Sequence, residues 1–147
     1  MGDFFMKKEI EMLNFIFKNA EMGIIGIDDL IEELEDTNFL SLIKKQREQY
    51  AKITKEARNL ISDFGAKVEE NSNISKVRSN LLVKMSSIKD KSIKKYAKMM
   101  IEGTNKGIIE LQEKINAYNI DNSEIINLAN SLLEIEENNI EELKKYL

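Results

Sequence analysis

Residues 19–27 read NAEMGIIGI, and residues 103–111 read GTNKGIIEL. The chain holds only six glycines in 147 residues, yet Gly-Ile-Ile occurs twice, 84 positions apart. Around the first copy, Ile10, Leu13, Phe17, Ala20, Ile24, Ile27, Ile31 and Leu34 step by three or four, which is one face of a helix. Around the second, Ile93, Tyr96, Met100, Thr104, Ile108, Leu111, Ile115 and Tyr118 do the same. A glycine inside a helix costs roughly 1 kcal/mol relative to alanine. Two at matched positions therefore need a reason. The expected reason is close contact: Gly23 and Gly107 let these two helices approach each other.

The rest of the chain supports helices throughout. There is no proline to forbid long ones, and no stretch shows a trustworthy strand alternation. A stripe of Phe39, Leu42, Ile43, Gln46, Tyr50, Ile53, Ala57, Leu60 and Phe64 follows the polar turn Asp36-Thr37-Asn38, and Gly65 stands where a helix stop belongs. Asp121 with Glu124 fits a capping box before the last stripe, Ile125, Leu128, Leu132, Ile135, Asn139, Leu143 and Leu147. Helices are expected at about 4–35, 38–64, 74–88, 92–118 and 122–146, with a break rather than a bend at KDKS, 89–92. The fold class is all-α: one domain, 1–147, built as a four-helix bundle of two antiparallel hairpins, with a short extra helix in the crossover.

The two hairpins resemble each other. With Gly23 set on Gly107, Ile24, Ile25, Ile27 and Ile31 meet Ile108, Ile109, Leu111 and Ile115. With the second helix shifted by 90, Gln46 meets Glu136 and Gln49 meets Asn139. Polar residues then fall at one level of the bundle: Glu21, Gln46, Gln49, Asn105, Glu136 and Asn139, with Tyr50 beside them. Buried polar groups cost roughly 1–3 kcal/mol when unpaired, so such a layer must be satisfied internally or by a ligand.

Glu21, Gln46-x-x-Gln49, Asn105 and Glu136-x-x-Asn139 resemble the ligand spacing of the ferritin-like superfamily, in which a Glu from each of two helices joins a Glu-x-x-His from each of the other two. NKGII at 105–109 and EENNIEELKKYL at 136–147 are similar to stretches of small uncharacterised bacterial proteins of that kind. The resemblance implies a ferritin-like bundle with a degenerate metal site. Of the carboxylates only Glu21 and Glu136 remain, and both histidine positions hold amides. Such a set does not neutralise two irons, so no di-iron cofactor is expected. One divalent cation or small ligand between Glu21 and Glu136 is the alternative. The favoured expectation is a hydrogen-bonded polar layer that holds helix register.

Composition narrows the function further. The chain has no cysteine and no histidine, which removes disulfides, thiolate metal sites, thiol catalysis and the commonest general base. No Ser or Lys has an activating partner, so no enzyme is expected. Net charge is −4, against a dedicated nucleic-acid binder. No uncharged apolar run approaches ~18 residues, so no transmembrane helix is expected, and a cytoplasmic location follows as the default. Residues 71–101 hold eight Lys or Arg against Asp90 alone, while 21–36 hold seven acidic residues and no basic one. The basic segment 76–98 is a candidate for an anionic surface. The leading functional expectation is a non-catalytic structural or protein-interaction module, as a homodimer or with a protein partner.

Overall fold

The computed structural model describes residues 2–69, 76, 79–80, 83–85 and 92–147, with side chains from Met6 onward. The fold is all-helical. Its long described helices are α1 (Gly2–Ile31), α2 (Thr37–Asp63), α3 (Ile93–Tyr118) and α4 (Ser123–Lys144).

Each boundary has a local cause. α1 ends at Ile31, not near Glu35 as its pattern suggests. Its last turn tightens, with Glu33 N–H donating to the Leu30 carbonyl (3.0 Å) and Leu34 N–H to that of Ile31 (3.3 Å). Asp36 must then be extended to cap α2, where its carboxylate accepts from Phe39 N–H at 2.9 Å. At the far end of α2, Gly65 takes φ +76°. Gly65 N–H donates to Ser62 and Ala66 N–H to Ile61, the paired bonds of a Schellman stop. Ser92 is extended and caps α3, so α3 starts as a new helix there. Asn119 closes it in the left-handed region. The α4 cap is Asn122 rather than the expected Asp121. Its side chain accepts from the N–H groups of Glu124 (2.9 Å) and Ile125 (3.2 Å), which shifts the helix start by one residue.

Side-chain contacts set the helix directions. Arg47 forks onto Asp28 while Arg58 lies over the Phe17 ring, so α1 and α2 are antiparallel. Tyr118 donates to Glu11, and Asn19 donates to the Gly107 carbonyl at 3.1 Å, so α1 and α3 are antiparallel too. Gln46 reaches the Asn139 carbonyl at 3.4 Å, and the Phe39 and Tyr146 rings meet at 5.0 Å, which makes α2 and α4 antiparallel. α2 and α3 therefore run the same way, and the connection between them starts and finishes at opposite ends of the bundle. Its first residues are tied to α1: Glu69 N–H donates to buried Asn14, and Lys18 pairs with Glu69 at 3.1 Å.

The core is continuous along the bundle, from Leu13 and Ile16 through Phe39, Ile43 and Leu111 to Leu132 and Leu143. Met85 from the crossover reaches it. Of the helix expected over 74–88, positions 76, 79–80 and 83–85 are helical and the remainder lies outside the described residues. The same holds for the KDKS stretch apart from Ser92, and for much of the basic segment 76–98. Among the described residues no helix is long and apolar enough to cross a membrane.

Candidate functional site

The buried polar side chains of the described residues are Asn14, Gln46, Glu136 and Asn139. Three of them sit on α2 and α4 at one level, because the antiparallel register that joins Gln46 to Asn139 also sets Gln49 opposite Glu136. Glu136 is only 2% exposed. An alanine Cβ at Gly107 would lie 2.6 Å from Glu136 Oε2 and 3.6 Å from Asn19 Nδ2. The missing Cβ at Gly107 is thus the space that admits the Glu136 carboxyl. Gly23 does the same for Tyr50: a Cβ there would meet three ring carbons at 2.7–2.9 Å.

The sequence expected both glycines to bring α1 against α3. The structure assigns them differently. Each makes room for a side chain from the other helix of its own hairpin, Tyr50 for Gly23 and Glu136 for Gly107. Gly107 also touches the neighbouring hairpin, through Asn19. The reason is bulk. A phenol ring and a carboxyl group placed at mid-helix need more depth than a stripe of Ile and Leu leaves.

The electrostatics follow from burial. Desolvation first, and the like charge of Glu110 second, raise Glu136 to about 8. The group is largely a neutral carboxylic acid at neutral pH. Burial also pushes the Tyr50 phenol far above its ordinary range, with Glu136 adding to the shift, while the Asn139 and Thr104 side chains that face the hydroxyl act the other way. Among the described residues, Glu136 Oε1 and Gln49 Oε1 are buried without a hydrogen-bond partner.

The expected polar layer is therefore reshaped. Gln46, Tyr50, Glu136 and Asn139 are buried in it, and Gln49 is half-buried. Asn105 is exposed and takes no part. Successive helix residues turn by about 100°, so a residue two before an inward glycine points roughly 200° away. Glu21 stands in the same relation to Gly23 and is half-buried. Thr104 and Asn19 hold the inner positions in their place. Thr104 was legible, since it falls on the apolar stripe of its helix. Asn19 was not, because it flanks Ala20 just off the stripe.

A complete di-iron ligand set of the ferritin-like pattern does not fit these residues. One carboxylate, Glu136, is buried at the centre, and the Tyr50 ring fills the space beside Gly23. Among the described residues there is no group of three or more His, Cys, Asp or Glu side chains placed to hold a metal. An open groove of about 540 Å³ lies elsewhere, at the α1 surface between Met6, Ile10, Phe15, Tyr118 and Glu69. Lys114 lies over the Phe15 and Tyr118 rings.

No family model and no curated protein sequence matches this chain. The structure is similar to the crystal structure of a DUF305 fragment from Deinococcus radiodurans, with a TM-score of 0.74 at 9% sequence identity, over 94% of this chain and 93% of that one. At such low identity the likeness shows a shared all-helical bundle fold.

Proposed function

We propose that the protein is a non-catalytic, ferritin-like four-helix bundle of bacterial, cytoplasmic type. It acts as a structural or protein-interaction module, with a polar layer in place of a di-iron site. One observation carries this reading: Tyr50 seated on Gly23 and Glu136 seated on Gly107 fill the middle of the bundle with protein atoms. Four carboxylates and two imidazoles would be needed there to balance two irons. Here the layer joins the hairpins, through Gln46 to the Asn139 backbone and Asn19 to the Gly107 backbone. Such contacts specify register more than they add stability.

Light scattering on untagged protein, with affinity capture from the native host, tests the module reading. A homodimer or a stoichiometric partner is expected, and a strict monomer that captures nothing refutes it. Iron(II) incubated with the protein in air should oxidise no faster than in buffer.

A second reading places one divalent cation between Glu21 and Glu136. The unpartnered Oε1 of Glu136 favours it, and half-buried Glu21 would have to supply the second charge. Elemental analysis of protein purified without chelator, together with a Mn²⁺ thermal-shift series, decides it.

A further inference from the structure

The first turns of α1 carry more apolar surface than the described part of the bundle covers. Met6 and Ile10 lie in phase with the buried Leu13 and Phe17, at steps of three or four. Yet Met6 is 38% exposed and Ile10 only half-buried. Both line the open groove of about 540 Å³, together with Phe15 and with Tyr118 from the end of α3. Its α1 side runs from position 6 to position 18, about 18 Å at 1.5 Å per residue. The polar lining is Lys7, Glu11, Asn14, Lys18 and Glu69. Most of it is already engaged. Asn14, 6% exposed, accepts from Glu69 N–H at 2.9 Å, and Lys18 pairs with the Glu69 carboxylate at 3.1 Å. Tyr118 donates to Glu11 at 3.3 Å. Lys114 stands 5.5 Å from the centres of both the Phe15 and the Tyr118 rings. Both carboxylates of the lining are thus in use. Lys7 has no hydrogen bond or ion pair among the described residues. Asn14, its oxygen spent, has only an N–H donor left to offer.

We propose that this groove binds a medium-chain carboxylate, an apolar chain laid along Met6, Ile10, Phe15 and Tyr118 with one anionic end met by Lys7. The volume falls within the range of about 300–1,000 Å³ usual for small-molecule sites. Its length along α1 suits an extended body, and its uncovered side chains supply an apolar bed. Charge selects the head. The two lysines of the lining balance its two glutamates, and Lys114 beside it adds a third positive charge. One carboxylate on the ligand brings that sum to zero. An organic cation would meet three lysines with both glutamates engaged, and the faces of the two rings already hold the Lys114 ammonium. The free donor of Asn14 likewise asks for an acceptor. This site is separate from the polar layer at the bundle centre, so the two stand or fall independently.

Amide NMR titrations with sodium decanoate, kept below its micelle concentration, provide the test. Sodium acetate probes the head alone, and decyltrimethylammonium bromide the same chain with the opposite charge. The proteins are wild type, Lys7→Gln and Lys7→Glu, changes at an exposed position outside the core. Decanoate should move the amides of Ile10, Phe15 and Tyr118 in a saturable way. The amide of Phe39, beyond the far end of α1, should stay in place. Acetate should move none of them. Lys7→Gln should weaken decanoate by about two- to fivefold, the size of an exposed ion pair. Lys7→Glu should weaken it further and bind the cationic probe more tightly than wild type does. No saturable movement at Ile10, Phe15 and Tyr118 overturns the proposal, including the case in which a second copy or a partner keeps the groove closed. Equal wild-type affinity for the two long-chain probes also overturns it, since that marks an apolar surface without head selection. So does an affinity for decanoate unchanged in both Lys7 variants.

Discussion

Alanine at each of the four mid-helix glycines, Gly23, Gly26, Gly103 and Gly107, should produce opposite effects from chemically identical changes. Gly26 and Gly103 have nothing within 4 Å of an added Cβ. There the helix gains the preference for Ala over Gly, about 0.5–1 kcal/mol. Gly23 has the same gain available, but its Cβ would stand 2.7, 2.8 and 2.9 Å from three carbons of the Tyr50 ring. Carbon atoms settle at about 3.5–4.0 Å, so the ring must retreat by nearly 1 Å. The ring is 4% exposed, with Asn139 and Thr104 at its hydroxyl, and it is rigid. Overpacking of this kind costs about 1–3 kcal/mol, so the net effect is a loss of roughly 1–2 kcal/mol. Gly107 lies between these cases. The atom met there, Glu136 Oε2 at 2.6 Å, ends a flexible side chain that can swing, and the net change should stay within about 1 kcal/mol. Urea titrations of the four single variants read these differences through their midpoints at constant slope. The expected order of stability is Gly103→Ala and Gly26→Ala above wild type, Gly107→Ala near it and Gly23→Ala below. A Gly23→Ala protein as stable as Gly103→Ala would show that Tyr50 does not rest on Gly23, and the account of the centre would fail with it. Tyr50→Leu in the Gly23→Ala background should recover part of the loss, a coupling that independent sites do not show.

Glu136 makes a pH prediction of unusual sign. Its folded pKa is raised from 4.5 to about 8, so the folded state holds the proton more tightly. The contribution is fully present below the unfolded value and is lost as pH climbs toward the folded one. In cation-free buffer, wild type should lose roughly 3–5 kcal/mol relative to Glu136→Gln between about pH 4.5 and 8; parallel stability curves for the two would refute it. Tyr50→Phe should cost about 1–2 kcal/mol in urea midpoints, because Asn139 and Thr104 lose the hydroxyl they face. Asn122→Ala should cost about 1 kcal/mol while Asp121→Ala costs little; the reverse order would restore Asp121 as the cap. Arg47→Ala should change stability by less than about 1 kcal/mol despite its forked pairing with Asp28, since both side chains are more than a third exposed.

Much of the architecture was written in local chemistry. A helical stripe needs only its own spacing, so four long helices and their order could be read directly. Asp36, Gly65 and Ser92 act on backbone groups a few residues away, and each works where its residue type suggests. The α1 terminus and the α4 cap were misplaced for a related reason. Leu34 continues the stripe in sequence but folds into a turn against the core, and Asn122 and Asp121 are both competent caps, so register alone chose between them. The centre was legible in its ingredients and not in its arrangement. Gln46, Tyr50, Glu136 and Asn139 could be named because each interrupts or borders an apolar stripe at mid-helix. Which way Asn105 and Glu21 point is a matter of helix phase, and phase was set by what packs against Gly23 and Gly107.

That choice belongs to the tertiary structure. A glycine in a sequence marks missing volume without saying which neighbour uses it. Tyr50 lies 27 positions from Gly23, and Glu136 lies 29 from Gly107. Only the closing of each hairpin brings them together, and only the joining of the two hairpins removes water from Glu136 and raises its pKa. The sequence by itself determined the long helices, the caps Asp36 and Ser92 and the stop at Gly65. The packed bundle decided which polar groups share the centre, because burial, and with it the protonation of Glu136, is a property of all four helices at once.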